Sequence, residues 1–165
     1  MRRKTFNKNH YKESHDGAVK AIVPWLLKQN PNYIIDCKEN YLADIKIKDP
    51  DKKEQFFMEL EHYKKWKSDM DAYDYFPCKV CKQDEFSVPT GKSSLEKWLK
   101  VPEERRPNFT YVTFRLDFKM VLMTPVIKVI ESPRKVIPNR FDKGRPEEFY
   151  IVNKSNSKVF SMEIN

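Results

Sequence analysis

Two short alternating segments separated by a turn tract constrain this chain more than anything else in it. In residues 41–47, Tyr-Leu-Ala-Asp-Ile-Lys-Ile, Leu42 and Asp44 share one face of an extended strand, with Ala43, Ile45 and Ile47 on the other. In residues 55–61, Gln-Phe-Phe-Met-Glu-Leu-Glu, Glu59 and Glu61 likewise share a face, their Cα atoms about 6.5–7 Å apart. Between them, residues 48–54 carry the proline, aspartates and charge of a turn. The pair predicts an antiparallel hairpin on which Asp44, Glu59 and Glu61 converge.

Carboxylates gathered in one place repel and raise one another's pKa, so a divalent cation, Mg²⁺ or Mn²⁺, is the natural occupant. The same alternation also suits the wet face of an edge hairpin, because half-buried antiparallel strands interleave apolar and charged residues. Charged residues make up 34% of the chain, so spacing alone does not separate the two readings.

The partner is suggested by charge. A net charge of +8 over 165 residues favours a polyanion, because lysine and arginine release counterions from phosphate. Nucleic acid is the expected partner, with compositional bias toward lysine as the plainer explanation. An aromatic content of 13% argues for a packed globule over a disordered chain. No apolar run approaches the ~20 residues that cross a bilayer, so no membrane association and a cytoplasmic location are expected. Three cysteines do not make a disulfide framework. Cys78 and Cys81 could supply half of a zinc site if Cys37 and His62 or another ligand approached, and zinc is not expected there.

Residues 10–29 read as an amphipathic helix, with Ala18, Val19, Ile22, Val23 and Leu26 on one stripe and Pro24 interrupting it. Asp16 borders that stripe and Glu13 points away from it, so Asp16 is the helix acid better placed to reach a strand end. A strand is expected from Tyr33 to Cys37. His62 follows Glu61 directly and faces away from it in an extended strand. The run His62 to Lys67 mixes bases and aromatics, so Lys64, Lys65 and Trp66 suit phosphates and an unstacked base, although Trp66 equally suits the core. Residues 69–85 read as a loop. Gly91-Lys92-Ser93 invites comparison with a phosphate-binding loop, but position 86 is Phe where that motif needs glycine. A strand at 86–89, a helix at 94–99 capped by Ser93 or Ser94, and strands at 109–116 and 119–124 follow, the last two turning at Asp117-Phe118. Val126 to Ile130 has the same β-branched character. Residues 132–146 read as a long connection whose Arg134, Lys135, Arg140, Lys143 and Arg145 suit phosphate contact. Strands at 148–152 and 158–162 close the chain.

The order helix, strand, strand with Asp44, strand with Glu59-Leu60-Glu61 resembles the core of the PD-(D/E)XK nuclease superfamily over residues 10–67, extending to about 130. Glu59-x-Glu61, Trp66, Val88-Pro89, Lys92 and the strand from Tyr111 to Leu116 are together similar to phage-encoded nuclease-like proteins of that type. The resemblance implies an α/β fold, an α+β mixed sheet with an N-terminal helix, in a single domain over residues 1–165. The core then runs from about 10 to 130, with a basic extension over 131–165. It implies Asp44 and Glu59 as Mg²⁺ ligands, joined by Glu61 and by Asp16 as the helix acid. Ala43 stands where the motif has proline, and Glu61 where it has lysine. The latter leaves the base to Glu61 itself or to a lysine from elsewhere, for which Lys92 is preferred. The expected activity is metal-dependent hydrolysis of phosphodiester bonds, in DNA more than RNA, in the host cytoplasm if the chain is a phage's. A homodimer follows if both strands of a duplex are cut. The alternatives are a non-catalytic nucleic-acid-binding module of the same fold and a virus-encoded protein-interaction factor.

Overall fold

The computed structural model describes residues 8–38, 42–69, 84–137 and 146–163. Helix α1, Lys8–Gln29, opens the chain and contains Pro24. Strands β1 (Ile34–Asp36), β2 (Ile45–Asp49) and β3 (Glu54–His62) follow as an antiparallel meander. Its second turn closes where Asp49 Oδ1 accepts the N–H groups of Asp51 and Lys52, and Lys53 takes the left-handed conformation at φ 54°. The expected hairpin therefore forms, in a register that pairs Ile45 with Met58.

Strand β4 (Glu85–Pro89) leads into helix α2 (Ser93–Lys100), and β5 (Asn108–Phe114) then pairs parallel to β3. Strand β6 (Met120–Pro125) returns antiparallel along β5 around Asp117-Phe118. That turn has no glycine, and Phe118 itself adopts φ 60°. The chain is completed by helix α3 (Val126–Ile130) and strands β7 (Arg134–Ile137), β8 (Glu147–Asn153) and β9 (Lys158–Ser161). A six-stranded mixed sheet runs β1-β2-β3-β5-β6-β9, and a three-stranded sheet runs β4-β8-β7. The fold is thus α/β with a mixed sheet and an N-terminal helix, as expected.

The large sheet separates two apolar layers. One face carries Ile45, Ile47, Met58, Leu60, Val112 and Phe114 against Ala18, Ile22 and Leu26 of α1. The other carries Phe57, Phe109, Tyr111 and Leu122 against Trp66, Leu95 and Trp98, with Val126 and Val129 from α3 and Phe86, Val88, Tyr150 and Val152 from the small sheet. The carboxylates of β3 belong to this second face, since Glu59 and Glu61 alternate with Leu60 and register with Tyr111 and Thr113.

Three local expectations are corrected. Residues 126–130 form a helix, because Pro125 ends the strand and Val126 and Val129, three apart, both enter the core from one helical face. The connection over 132–146 contains strand β7. Helix α2 is capped by Lys92, whose carbonyl accepts Glu96 N–H at 3.1 Å, and not by a serine side chain. The loop over 69–85 lies mostly outside the described residues, as do Cys78 and Cys81.

Candidate active site

Asp44 does not lie within a strand. It occupies the bend just before β2, and its Oδ2 accepts the N–H of Leu60 at 2.8 Å. That side-chain bond takes a donor which a longer β2 would have satisfied, and the ladder ends at Ile45. The alternation breaks with it: Ala43 packs in the layer of Trp66 and Phe86, whereas Ile45 packs against α1. The bend still delivers Asp44 to Glu59.

Glu59 holds its proton up to about 8, first because it is buried and second because the Asp44 carboxylate is beside it. Lys92 and Ser94 act in the opposite direction. Ser94, the second residue of α2, is 6% exposed, and its Oγ has no partner in hydrogen-bonding geometry although it lies near enough to Glu59 to favour the ionised form. Glu61, two residues on, meets Lys92 at 2.7 Å from Nζ to Oε2. Burial alone would lower the Lys92 pKa, but Glu61 and Glu59 more than offset it and the ammonium is held above its ordinary value. The same Nζ lies 5.6 Å from the centre of the Tyr111 ring, whose phenol is pushed well above its ordinary pKa by burial and then by the two glutamates.

Asp44, Glu59, Glu61 and Lys92 are therefore brought together. The acids divide into a neighbouring pair, Asp44 and Glu59, and an ion-paired Glu61. Among the described residues no group of three His, Cys, Asp or Glu side chains stands close enough to hold an ion unaided. That donor set does not suit a cation needing an all-protein cage. It fits Mg²⁺ or Mn²⁺, which bind through one or two carboxylates and complete their shell with water and phosphate oxygens. The proton on Glu59 marks where positive charge is wanted.

From α1, Asp16 is exposed, as is Glu13. The helix side chain that approaches the acids is His15, with Nδ1 3.7 Å from Asp44 Oδ1. Sequence reasoning missed it, yet the signal was there, since His15 lies three residues before Ala18 and seven before Ile22 on the buried stripe. His62 faces the opposite side of the sheet, as expected, between Ser14 Oγ at 2.9 Å and the Leu116 carbonyl at 3.0 Å. It is not available to complete a zinc site with Cys37, a free, half-buried thiol whose pKa is raised by burial and by Asp36.

The residues expected to meet nucleic acid separate. Lys64 and Lys65 are exposed at the end of β3. Trp66 is fully buried, so it belongs to the core and offers no face to a base. Arg134 and Lys135 are exposed on β7, where Arg134 lies over the Tyr150 ring at 5.4 Å and 3.9 Å from Glu148. Arg140, Lys143 and Arg145 lie outside the described residues. A cavity of about 580 Å³ opens at the start of β5 beside Trp98, Arg106 and Phe109, and none of the four clustered residues lines it. No described helix is long and apolar enough to cross a membrane. No protein-family model matches the sequence, and comparison with curated proteins gives no match.

Proposed function

We propose that this chain is a nuclease that hydrolyses phosphodiester bonds in DNA with Mg²⁺ or Mn²⁺. The carrying observation is the convergence of Asp44, Glu59 and Glu61 with Lys92, an ammonium 2.7 Å from Glu61 that comes from 31 residues further along the chain. Perturbed titratable groups with specific charge partners cluster at functional sites, and Glu59, buried beside Asp44 and Lys92, is such a group. The topology is consistent with the same reading: one helix, a three-stranded meander whose third strand carries Glu59 and Glu61, then further strands in a mixed sheet is the order that the resemblance to PD-(D/E)XK nucleases implies.

In this reading Asp44 and Glu59 hold the cation. When bound, the cation polarises the scissile phosphate and lowers the pKa of a water. Glu61 accepts a proton from the attacking water, and Lys92, paired with Glu61, opposes charge developing on the phosphate. Lys92 thus supplies the positive charge that the third motif position lacks. The basic surface, with Lys64 and Lys65 beside the end of β3, draws in the polyanion.

The test is incubation of wild type, Glu59→Ala and Glu61→Ala with supercoiled, linear, single-stranded and branched DNA in Mg²⁺, Mn²⁺ or EDTA. Cation-dependent cleavage by wild type and its loss in both variants is the expected result. No cleavage of any substrate, with salt-sensitive binding indifferent to both substitutions, would overturn catalysis in favour of a binding module.

A further inference from the structure

Lysines that make no ion pair among the described residues stand in line with the carboxylates, on a part of the sheet that the second layer leaves uncovered. Strand β2 places Lys46 opposite Phe57 and Lys48 opposite Gln55, so both lysines point to the same face as Glu59 and Glu61, which share that face of β3 with Phe57. The apolar layer on that face covers Phe57, Phe109, Tyr111 and Leu122, toward β5 and β6. Toward β1 the face opens: Lys46 is half-buried, Lys48 and Gln55 are exposed, and Ile34, paired with Lys48, is 59% exposed. Asp36 lies beside Lys46 in register, but its Oδ1 accepts the N–H of Lys38 at 2.9 Å. The hairpin tip beyond is held by Asp51 Oδ2, which accepts from the side-chain amides of Asn30 and Asn32, and it carries Lys52 and Lys53.

Resting on the nuclease reading, we infer that Lys46 and Lys48 form a track for the phosphate backbone of the nucleic acid, leading from the carboxylates toward the hairpin tip. Along β3, Glu59, Phe57 and Gln55 succeed one another at about 6.5–7 Å, two strand rises, and Lys46 and Lys48 stand beside the last two in register; that is the order of spacing between neighbouring phosphates along a nucleic-acid strand. A phosphate at the carboxylate site therefore sets the next two over Lys46 and Lys48. A strand also holds its side chains at fixed intervals, so the track fixes direction as well as adding charge.

The test is the salt dependence of binding of a labelled DNA oligonucleotide to the full chain in EDTA, for wild type, Lys46→Gln/Lys48→Gln and Lys119→Gln/Lys128→Gln. The last pair removes the same charge at lysines 60% and 53% exposed elsewhere. Neutralising two fewer phosphates lowers the slope of log K against log salt by about 1.4 for a single strand and about 1.8 for a duplex. We expect that drop in the Lys46/Lys48 variant alone, and retention of the wild-type slope in Lys46→Arg/Lys48→Arg, which also controls for folding. Equal drops in both glutamine pairs, or none in either, overturn the track. If wild type cleaves while the slopes stay equal, only the track falls. Wild type that neither cuts nor binds DNA overturns the nuclease reading and the track with it.

Discussion

Lys92 Nζ meets Glu61 Oε2 at 2.7 Å because helix α2 begins where it does. Lys92 is the extended cap residue, φ −61° and ψ 122°, so the start of the helix fixes the base of its side chain. Replacing it with methionine keeps the stem and removes the charge, leaving Asp44, Glu59 and Glu61 to repel one another. We expect Lys92→Met to lose at least about 10²-fold in cleavage rate, the scale of losing one oriented electrostatic partner. Its thermal stability should fall more at pH 8 than at pH 5, where the carboxyls can protonate, and Mg²⁺ should restore part of the loss. Melting curves at both pH values, with EDTA and with Mg²⁺, check this, and an equal loss at both would show that the ammonium does not offset those charges.

The Glu59 carboxyl carries its own pH signature. In the native chain it holds its proton up to about 8, whereas an unfolded glutamate releases it near 4.5. Between those values unfolding releases a proton, so this group makes stability fall as pH rises from about 4.5 to about 8. Glu59→Gln removes the penalty: the variant should gain on wild type steadily across that window and keep the gain above it. Chemical denaturation at pH 5, 6.5 and 8 gives the curve.

Cation binding should displace the same proton. Near pH 7, titration of wild type with Mg²⁺ is expected to release close to one proton per ion. Calorimetry in two buffers of different ionisation enthalpy measures the release, and Glu59→Gln should show none. Binding without proton release would place the ion away from Glu59.

What the sequence made legible was the part governed by short-range pattern. Alternation in residues 55–61 and the turn chemistry of residues 48–54 specify the hairpin, and β3 and its carboxylates follow. Alternation failed at Asp44, where a side chain caps a backbone donor and ends the strand, a competition that residue type allows but spacing does not reveal. Val126 to Ile130 has strand-like composition and forms a helix because two valines three apart meet a core built by distant strands. Lys92 was reached through a family-like pattern; nothing local indicates that its amine lies beside Glu61.

Gly17 is needed for a close approach between α1 and the β5–β6 turn. A Cβ built there would lie 2.6 Å from both Cε2 and Cζ of Phe118. The ring cannot retreat freely: it stacks on His62 at 4.2 Å and 23°, and His62 is held at both nitrogens. Gly17→Ala should gain up to about 1 kcal/mol in helix propensity and lose about 1–3 kcal/mol to overpacking, for a net destabilisation. In a Phe118→Leu background the clash is relieved and the same substitution should become stabilising. Denaturant midpoints for the four proteins of that cycle test the sign reversal.

Trp66 and its neighbours Lys64 and Lys65 should respond to substitution in opposite ways. Trp66 is fully buried, its backbone N–H donates to the Tyr63 carbonyl at 3.1 Å and its carbonyl accepts from Leu116 N–H at 3.0 Å, so it ties the segment after β3 to the β5–β6 turn. Trp66→Ala is expected to cost about 3–5 kcal/mol of stability, and Trp66→Phe less. DNA affinity per folded molecule should be unchanged in Trp66→Phe, because no base reaches the indole. Lys64→Gln/Lys65→Gln should leave the melting temperature within error and weaken DNA binding, lowering the salt slope by about 0.7–0.9 for each phosphate no longer neutralised. Binding isotherms at three salt concentrations alongside melting curves separate the two behaviours. A Trp66→Phe variant that melts like wild type yet fails to bind DNA would return the indole to the binding surface.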